Sequence, residues 1–204
     1  MDYKTIRGEV SATIIEKRSR FIATARPVSE LTEAESFLAQ IRSKNPDARH
    51  NVFACLLLEG TRRCSDDGEP QGTAGLPALE AIGRRGLVNV AVVITRYFGG
   101  VLLGAPGLLR AYSGAAATAL DAAVIRTMSH CRVYEMTVDY GLLARTERLM
   151  ETLGCHIKQK LYQEKATLEV LIPDDIDLRF NASVADVSNG LVKPVVKGEM
   201  FWSE

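Results

Sequence analysis

Two short apolar-rich runs open the chain, residues 10–16 and 20–27, and they predict strands joined by the basic turn Lys17-Arg18-Ser19. Ala34, Phe37, Leu38 and Ile41 then recur at helical spacing. They predict a helix over 32–44, opened by Thr32 and Glu35 as a capping box and stopped at Asn45-Pro46-Asp47. Residues 51–58 (NVFACLLL) and 90–97 (VAVVITRY) are short and apolar at almost every position, the pattern of central strands. Leu76, Leu79 and Ile82 recur every third residue behind Pro77, predicting a helix that starts near 77. A second helix, 107–124, is apolar nearly all round and is expected to be buried on most sides.

The pattern changes after about residue 128. Strands are expected at 131–139, 155–162, 165–172 and 191–197, with helices at 141–153, ending at Gly154, and at 174–188. That order is β-α-β-β-α-β, the ferredoxin-like split unit. The fold class expected is therefore α+β in two domains, residues 1–128 and 129–204.

Composition narrows this picture. The 204 residues are 47% hydrophobic and 25% charged, ordinary globular values that exclude a disordered tail, a collagen-like fibre or a membrane-spanning bundle. No apolar run is long enough for a signal peptide or a membrane span, so no membrane partner is expected and the cytoplasm is the default location. Cys55, Cys64, Cys131 and Cys155 are widely spaced and read as reduced thiols. Net charge is zero, so bulk charge alone would not hold a nucleic acid. The first 128 residues nevertheless carry 16 Lys/Arg against 13 Asp/Glu, and the remainder 9 against 12. An anion site belongs in the first half.

Nine of the 16 glycines fall between 68 and 107, and they mark two junctions. The first is Ser65-Asp66-Asp67-Gly68-Glu69-Pro70-Gln71-Gly72-Thr73-Ala74-Gly75, the end of a stretch from Glu59 without regular pattern. Here Gly72, Thr73, Ala74 and Gly75 could turn bare N–H groups to an anion at a helix start; the plainer alternative is a glycine turn capped by Thr73. The second runs from Arg96 through Tyr97, Gly99 and Gly100 to Arg110, where the arginines supply forked donors and Tyr97 a stacking face. Glycines that merely allow a bend would look the same. His50 could face these loops, although a histidine there is more ordinarily a surface or capping group.

Neither junction is a P-loop or a dinucleotide fingerprint, and no cofactor is implied. Asp66, Asp67 and Glu69 could hold a divalent metal or act as acid and base; adjacent acids in a Gly/Pro loop are more ordinarily turn formers. His130-Cys131 and Cys155-His156 suggest zinc, but in a ferredoxin-like sheet they start parallel strands separated by a third, with backbones about 10 Å apart.

SRFIA at 19–23, PDARHNVFA at 46–54, SDDGEPQGTAG at 65–75 and VAVVITRYFGGVLLGAPGLLRAY at 90–112 together resemble the IMPACT/YigZ family. The resemblance implies an N-terminal α+β domain related to ribosomal-protein and elongation-factor-G modules, followed by a ferredoxin-like domain. Eukaryotic members of the family are translation regulators with an additional N-terminal domain, which compete for the protein activator of an amino-acid-starvation kinase. Three functions follow in order of preference: a translation-associated module contacting RNA, the ribosome or another phosphate-bearing ligand; a regulator that binds a protein partner without a ligand; and a metal-dependent hydrolase built on the 65–75 loop.

Overall fold

The computed structural model describes residues 2–203 and divides the chain into two compact units, residues 3–127 and the chain from Met128 onward joined by Asp2. In the first unit β1 (Tyr3–Ile6), β2 (Val10–Glu16), β3 (Ser19–Pro27), α1 (Leu31–Lys44), β4 (His50–Leu56), β5 (Arg62–Ser65), α2 (Gly75–Gly83), β6 (Val90–Tyr97) and α3 (Gly104–Asp121) follow in turn. A five-stranded sheet runs in the order β2-β3-β6-β4-β5 with every neighbouring pair antiparallel.

Helices cover this sheet on both faces. Phe21, Val52, Ala54, Val92 and Ile94 pack with residues of α2 and α3 on one side, while Phe53, Cys55, Ala91 and Val93 pack with Ala34, Phe37 and Ile41 of α1 on the other. Two covered faces remove the need for polar alternation, so β4 and β6 read as unbroken apolar runs. The β2–β3 hairpin closes over two residues, Lys17 and Arg18, with φ of 45° and 68°. Positive φ at both central positions is what a two-residue hairpin of the right twist requires.

Helix α1 is opened differently from the expected Thr32/Glu35 box. The Glu33 carboxylate accepts the Ser29 N–H at 2.6 Å and the Ser29 hydroxyl at 2.8 Å, while Thr32 bonds back to Glu30. No side chain caps a helix N–H here; the chain enters the helix at Glu30, whose backbone is extended, and Glu33 reaches back to Ser29 instead. Helices α2 and α3 likewise begin earlier than expected, at Gly75 and Gly104, and α3 ends at Asp121. Pro77 and Pro106 each stand third in their helix, within the first turn, where a missing N–H costs nothing. Two strands lay outside the reading: β1, and β5 inside the supposedly irregular stretch. All four β5 residues are exposed on an edge, so no apolar signal marks them.

In the second unit come β7 (Ile125–Val138), which carries the chain in from the first, then α4 (Tyr140–Leu153), β8 (His156–Tyr162), β9 (Ala166–Pro173), a 3₁₀ turn (Asp174–Ile176), α5 (Asp177–Ser188) and β10 (Val195–Trp202). The sheet order β10-β7-β9-β8, antiparallel throughout, is the ferredoxin-like arrangement. Tyr134, Met136 and Val138 alternate toward Met150 of α4 and toward Phe180 and Val184 of α5. Cys131 and Val133 take the opposite face with Leu171 and Trp202. The last strand starts at 195 rather than 191. Val192 is buried as a plug in the helix-side core, its N–H given to the Ser188 hydroxyl, and Pro194 has no N–H for a ladder.

Candidate functional site

The segment 66–75 folds down onto the end of β4 and β6, and its acids hold it there. Asp66 accepts the backbone N–H groups of Gly72 at 2.8 Å, Ala74 at 3.1 Å and Gly75 at 2.8 Å. Burial pushes the Asp66 carboxyl up, but the three amide bonds outweigh it and leave the pKa below the ordinary value. Thr73 turns inward, with N–H and hydroxyl both on the Pro70 carbonyl. The amides expected to receive an external anion are thus occupied by a carboxylate from the same loop. The loop supplies its own anion, which replaces the expected ligand at 72–75.

Asp67 and Glu69 each take different partners. The Asp67 carboxylate accepts the Asn51 N–H at 2.6 Å and an Arg42 guanidinium N–H at 2.5 Å, and the Asp67 carbonyl lies 2.7 Å from His50 Nδ1. Since a carbonyl only accepts, that contact places a proton on Nδ1 of His50. Glu69 is buried and accepts Arg96 at 2.5 Å and the Tyr112 hydroxyl at 2.6 Å, with His50 Nε2 3.9 Å away. Burial first, then the bond to Glu69, drives the Tyr112 phenol far above its usual pKa, so it stays a donor. Among the described residues no three His, Cys, Asp or Glu side chains come together as metal ligands. Asp66 and Asp67 do form a turn, closed by the Glu69 N–H on the Asp66 carbonyl with positive φ at Asp67 and Gly68, and the three carboxylates fasten the loop.

Arg96, expected to offer its forked donors to a phosphate, is also part of this buried cluster. Its guanidinium lies 5.4 Å from the Phe21 ring and 5.8 Å from the Phe98 ring, shielded from water by them and by Glu69. Tyr112 was absent from the expected site. Its only signal was an aromatic hydroxyl in an otherwise apolar helix, a group that must find a buried partner.

Two glycines explain why the motifs need them. A Cβ on Gly75 would stand 2.8 Å from the Ser65 backbone, and one on Gly99 only 2.0 Å from the Arg18 carbonyl carbon. The second contact seats the β2–β3 turn directly on the 98–103 loop. Along this edge lie Lys17, Arg18 and Arg20, then Tyr97, Phe98, Gly100, Val101 and Leu102; Leu109 and Arg110 stand exposed on α3, which follows this loop in the chain. Arg20 stacks 4.5 Å above the Tyr97 ring. Phe98 is 50% exposed and Leu102 83%. Lys17, Arg18, Arg20 and Arg110 are all exposed, and none enters an ion pair among the described residues. The same is true of Arg7, Arg49, Arg62 and Arg63, while Arg26, Arg42, Arg84, Arg85 and Arg96 do pair. Of the expected residues, Tyr97, Gly99 and Gly100 belong to this edge, with Arg110 exposed on α3; His50, Arg96 and Gly72–Gly75 belong to the interior fastening behind it. The basic turn was visible in the sequence, but only folding brings it onto the glycine junction.

A two-unit α+β protein whose acidic glycine loop is bolted onto an antiparallel sheet, with a basic and aromatic edge beside it, defines the class. The Impact N-terminal domain model matches residues 17–120, and a domain of unknown function, DUF1949, matches residues 136–191. The chain is 31% identical over 204 residues to IMPACT family member YvyE of Bacillus subtilis, covering 99% of this chain and 94% of that one. It is 33% identical over 184 residues to IMPACT family member YigZ of Escherichia coli, covering 87% and 90%. A crystal structure described as that of a hypothetical protein superposes with a TM-score of 0.65 at 30% identity, over 95% of this chain and 96% of the other. The protein belongs to the IMPACT family.

Proposed function

We propose that this protein is a translation-associated binding module that contacts RNA through the edge formed by Lys17, Arg18, Arg20, Tyr97 and Phe98, together with Arg110 on the helix that follows. The single observation that carries this is the pairing pattern. On a protein of zero net charge, three cations without acidic partners cluster at the hairpin turn beside an aromatic ring that faces water, and a fourth, Arg110, is exposed on the helix that follows. Unpaired cations answer phosphates, and an exposed ring answers an unstacked base. The family resemblance supplies the translation context. The interior fastening supports the same reading, because Glu69, Arg96 and Tyr112 hold rigid the loop and strand end that present the edge.

The test is RNA binding by filter retention and co-sedimentation with ribosomes across a salt series. Arg18→Ala and Arg110→Ala should each weaken retention of any sequence and lower the salt slope by about 1 per lost phosphate contact. No retention at low salt, or binding indifferent to both changes, overturns the proposal. A second reading rests on Leu102 and its neighbours Val101 and Leu109, apolar side chains left in water. They suit a protein partner, and then binding would tolerate salt but fail in Leu102→Asp.

A further inference from the structure

We infer that the first unit carries a second binding site, for a small zwitterion of the α-amino-acid type, in the cavity between Arg126 and Glu33. This cavity, about 240 Å³, is lined by Tyr3, Thr5, Pro27, Val28, Ser29, Glu33, Asn89 and Arg126, all within residues 3–127. That volume holds roughly eight waters, enough for a compact metabolite but small for a nucleotide.

Two opposite charges line the cavity without meeting each other. Arg126 enters no ion pair among the described residues, and its Nε is buried without a hydrogen-bond partner. A buried guanidinium donor left unmatched is costly, and a forked donor fits a carboxylate. Glu33, on the same lining, uses Oε2 on the Ser29 N–H and hydroxyl, with a smaller contribution from the Glu30 backbone, and enters no ion pair among the described residues. The remaining polar groups already serve one another: Thr5 donates to the Asn89 carbonyl, the Asn89 side-chain amide donates to the Tyr3 hydroxyl, and Asn89 Oδ1 accepts the Leu58 N–H. The lining thus carries one cation and one anion that do not pair with each other, with Pro27 and Val28 as an apolar wall. A ligand that carries a carboxylate and an ammonium a few bonds apart satisfies both; a simple anion would leave Glu33 facing it.

The Ser29–Glu33 bonds keep that carboxyl ionised, its pKa lowered chiefly by the Ser29 amide and then by the Ser29 hydroxyl. The site therefore holds its charge pair through the neutral range. It lies at the far end of β3 from the Lys17–Arg18 turn and is independent of the RNA reading.

The experiment is NMR titration of the full chain with glycine, L-alanine, L-leucine, acetate, methylammonium and inorganic phosphate, each at millimolar concentration. At least one amino acid should shift the Arg126 Nε–H and Ser29 amide resonances, with affinity about tenfold or more above acetate and methylammonium. Arg126→Gln and Glu33→Gln should each abolish that response. Glutamine keeps an acceptor for Ser29, and the unchanged amide spectrum elsewhere would show that the variants fold. No shift with any amino acid, equal binding of acetate or phosphate, or binding retained in both folded variants overturns the inference.

Discussion

Asp66 shows how much one side chain can decide. Three backbone donors converge on its carboxylate, so Asp66→Ala leaves three part-buried N–H groups without an acceptor, at about 1–3 kcal/mol by the usual cost of unmet donors. Urea unfolding should report that loss. The direction with pH follows from the lowered pKa: the folded state holds its proton less tightly than the unfolded chain, so this stabilisation is present above the unfolded carboxyl pKa and is lost as pH falls through the folded one. Asp66→Asn should flatten that acid limb of the stability curve. At Gly99 the deciding factor is space. Gly99→Ala drives a methyl into the Arg18 backbone, which cannot yield as a side-chain tip would. A loss of about 1–3 kcal/mol is expected, together with weaker RNA binding, since the turn it seats carries two of the edge cations.

At the scale of an element, helix α1 separates two readings of the same residues. If the Ser29–Glu33 bonds hold its entry, Ser29→Ala, which loses the hydroxyl bond to the carboxylate, should cost about 1 kcal/mol and Thr32→Ala less. Equal losses in thermal unfolding would refute the assignment. Strand β7 makes a different point. Its alternation was legible because α4 and α5 cover only one face, sorting Tyr134, Met136 and Val138 from Cys131 and Val133. Strand β5 was invisible because an exposed edge strand has no face to bury, and its existence depends on pairing Arg62–Ser65 with Phe53–Leu56. Of the zinc-like pairs, Cys155-His156 stands at the start of β8, whereas His130-Cys131 lies midway along β7 and not at its start; β9 separates the two strands. The sheet turns His156 to a different use, stacked 4.5 Å from Trp202.

For the whole molecule, the thiols offer a readout of both units. Cys64 is exposed, whereas Cys55 in the first unit and Cys131 in the second are buried. Burial, ahead of the nearby Glu59 charge, pushes the Cys55 thiol to about 11. Brief labelling with an aromatic disulfide at neutral pH should therefore modify Cys64 first, with Cys55 and Cys131 following only when their own unit opens. Equal labelling rates for all three thiols in native buffer would contradict the burial. Among the described residues, no helix is long and apolar enough to cross a membrane.

Local pattern alone determined the elements with a buried face: the apolar runs of β4 and β6, the helical spacing of α1 and the β-α-β-β-α-β order after residue 128. A repeat of two or of three to four residues reports burial directly, without knowledge of the partner. The glycine motifs were equally visible, but what they serve was not. The amides of Gly72, Ala74 and Gly75 turn onto Asp66 within one loop, 6 to 9 places away. Whether Arg96 meets phosphate or Glu69, and whether the hairpin turn at Ser19 adjoins Gly99, are questions of distance between residues 27 and 80 places apart. Only packing sets such distances. It turned the expected anion cradle inward onto Asp66, and left the exposed, unpaired cations of the hairpin turn beside it.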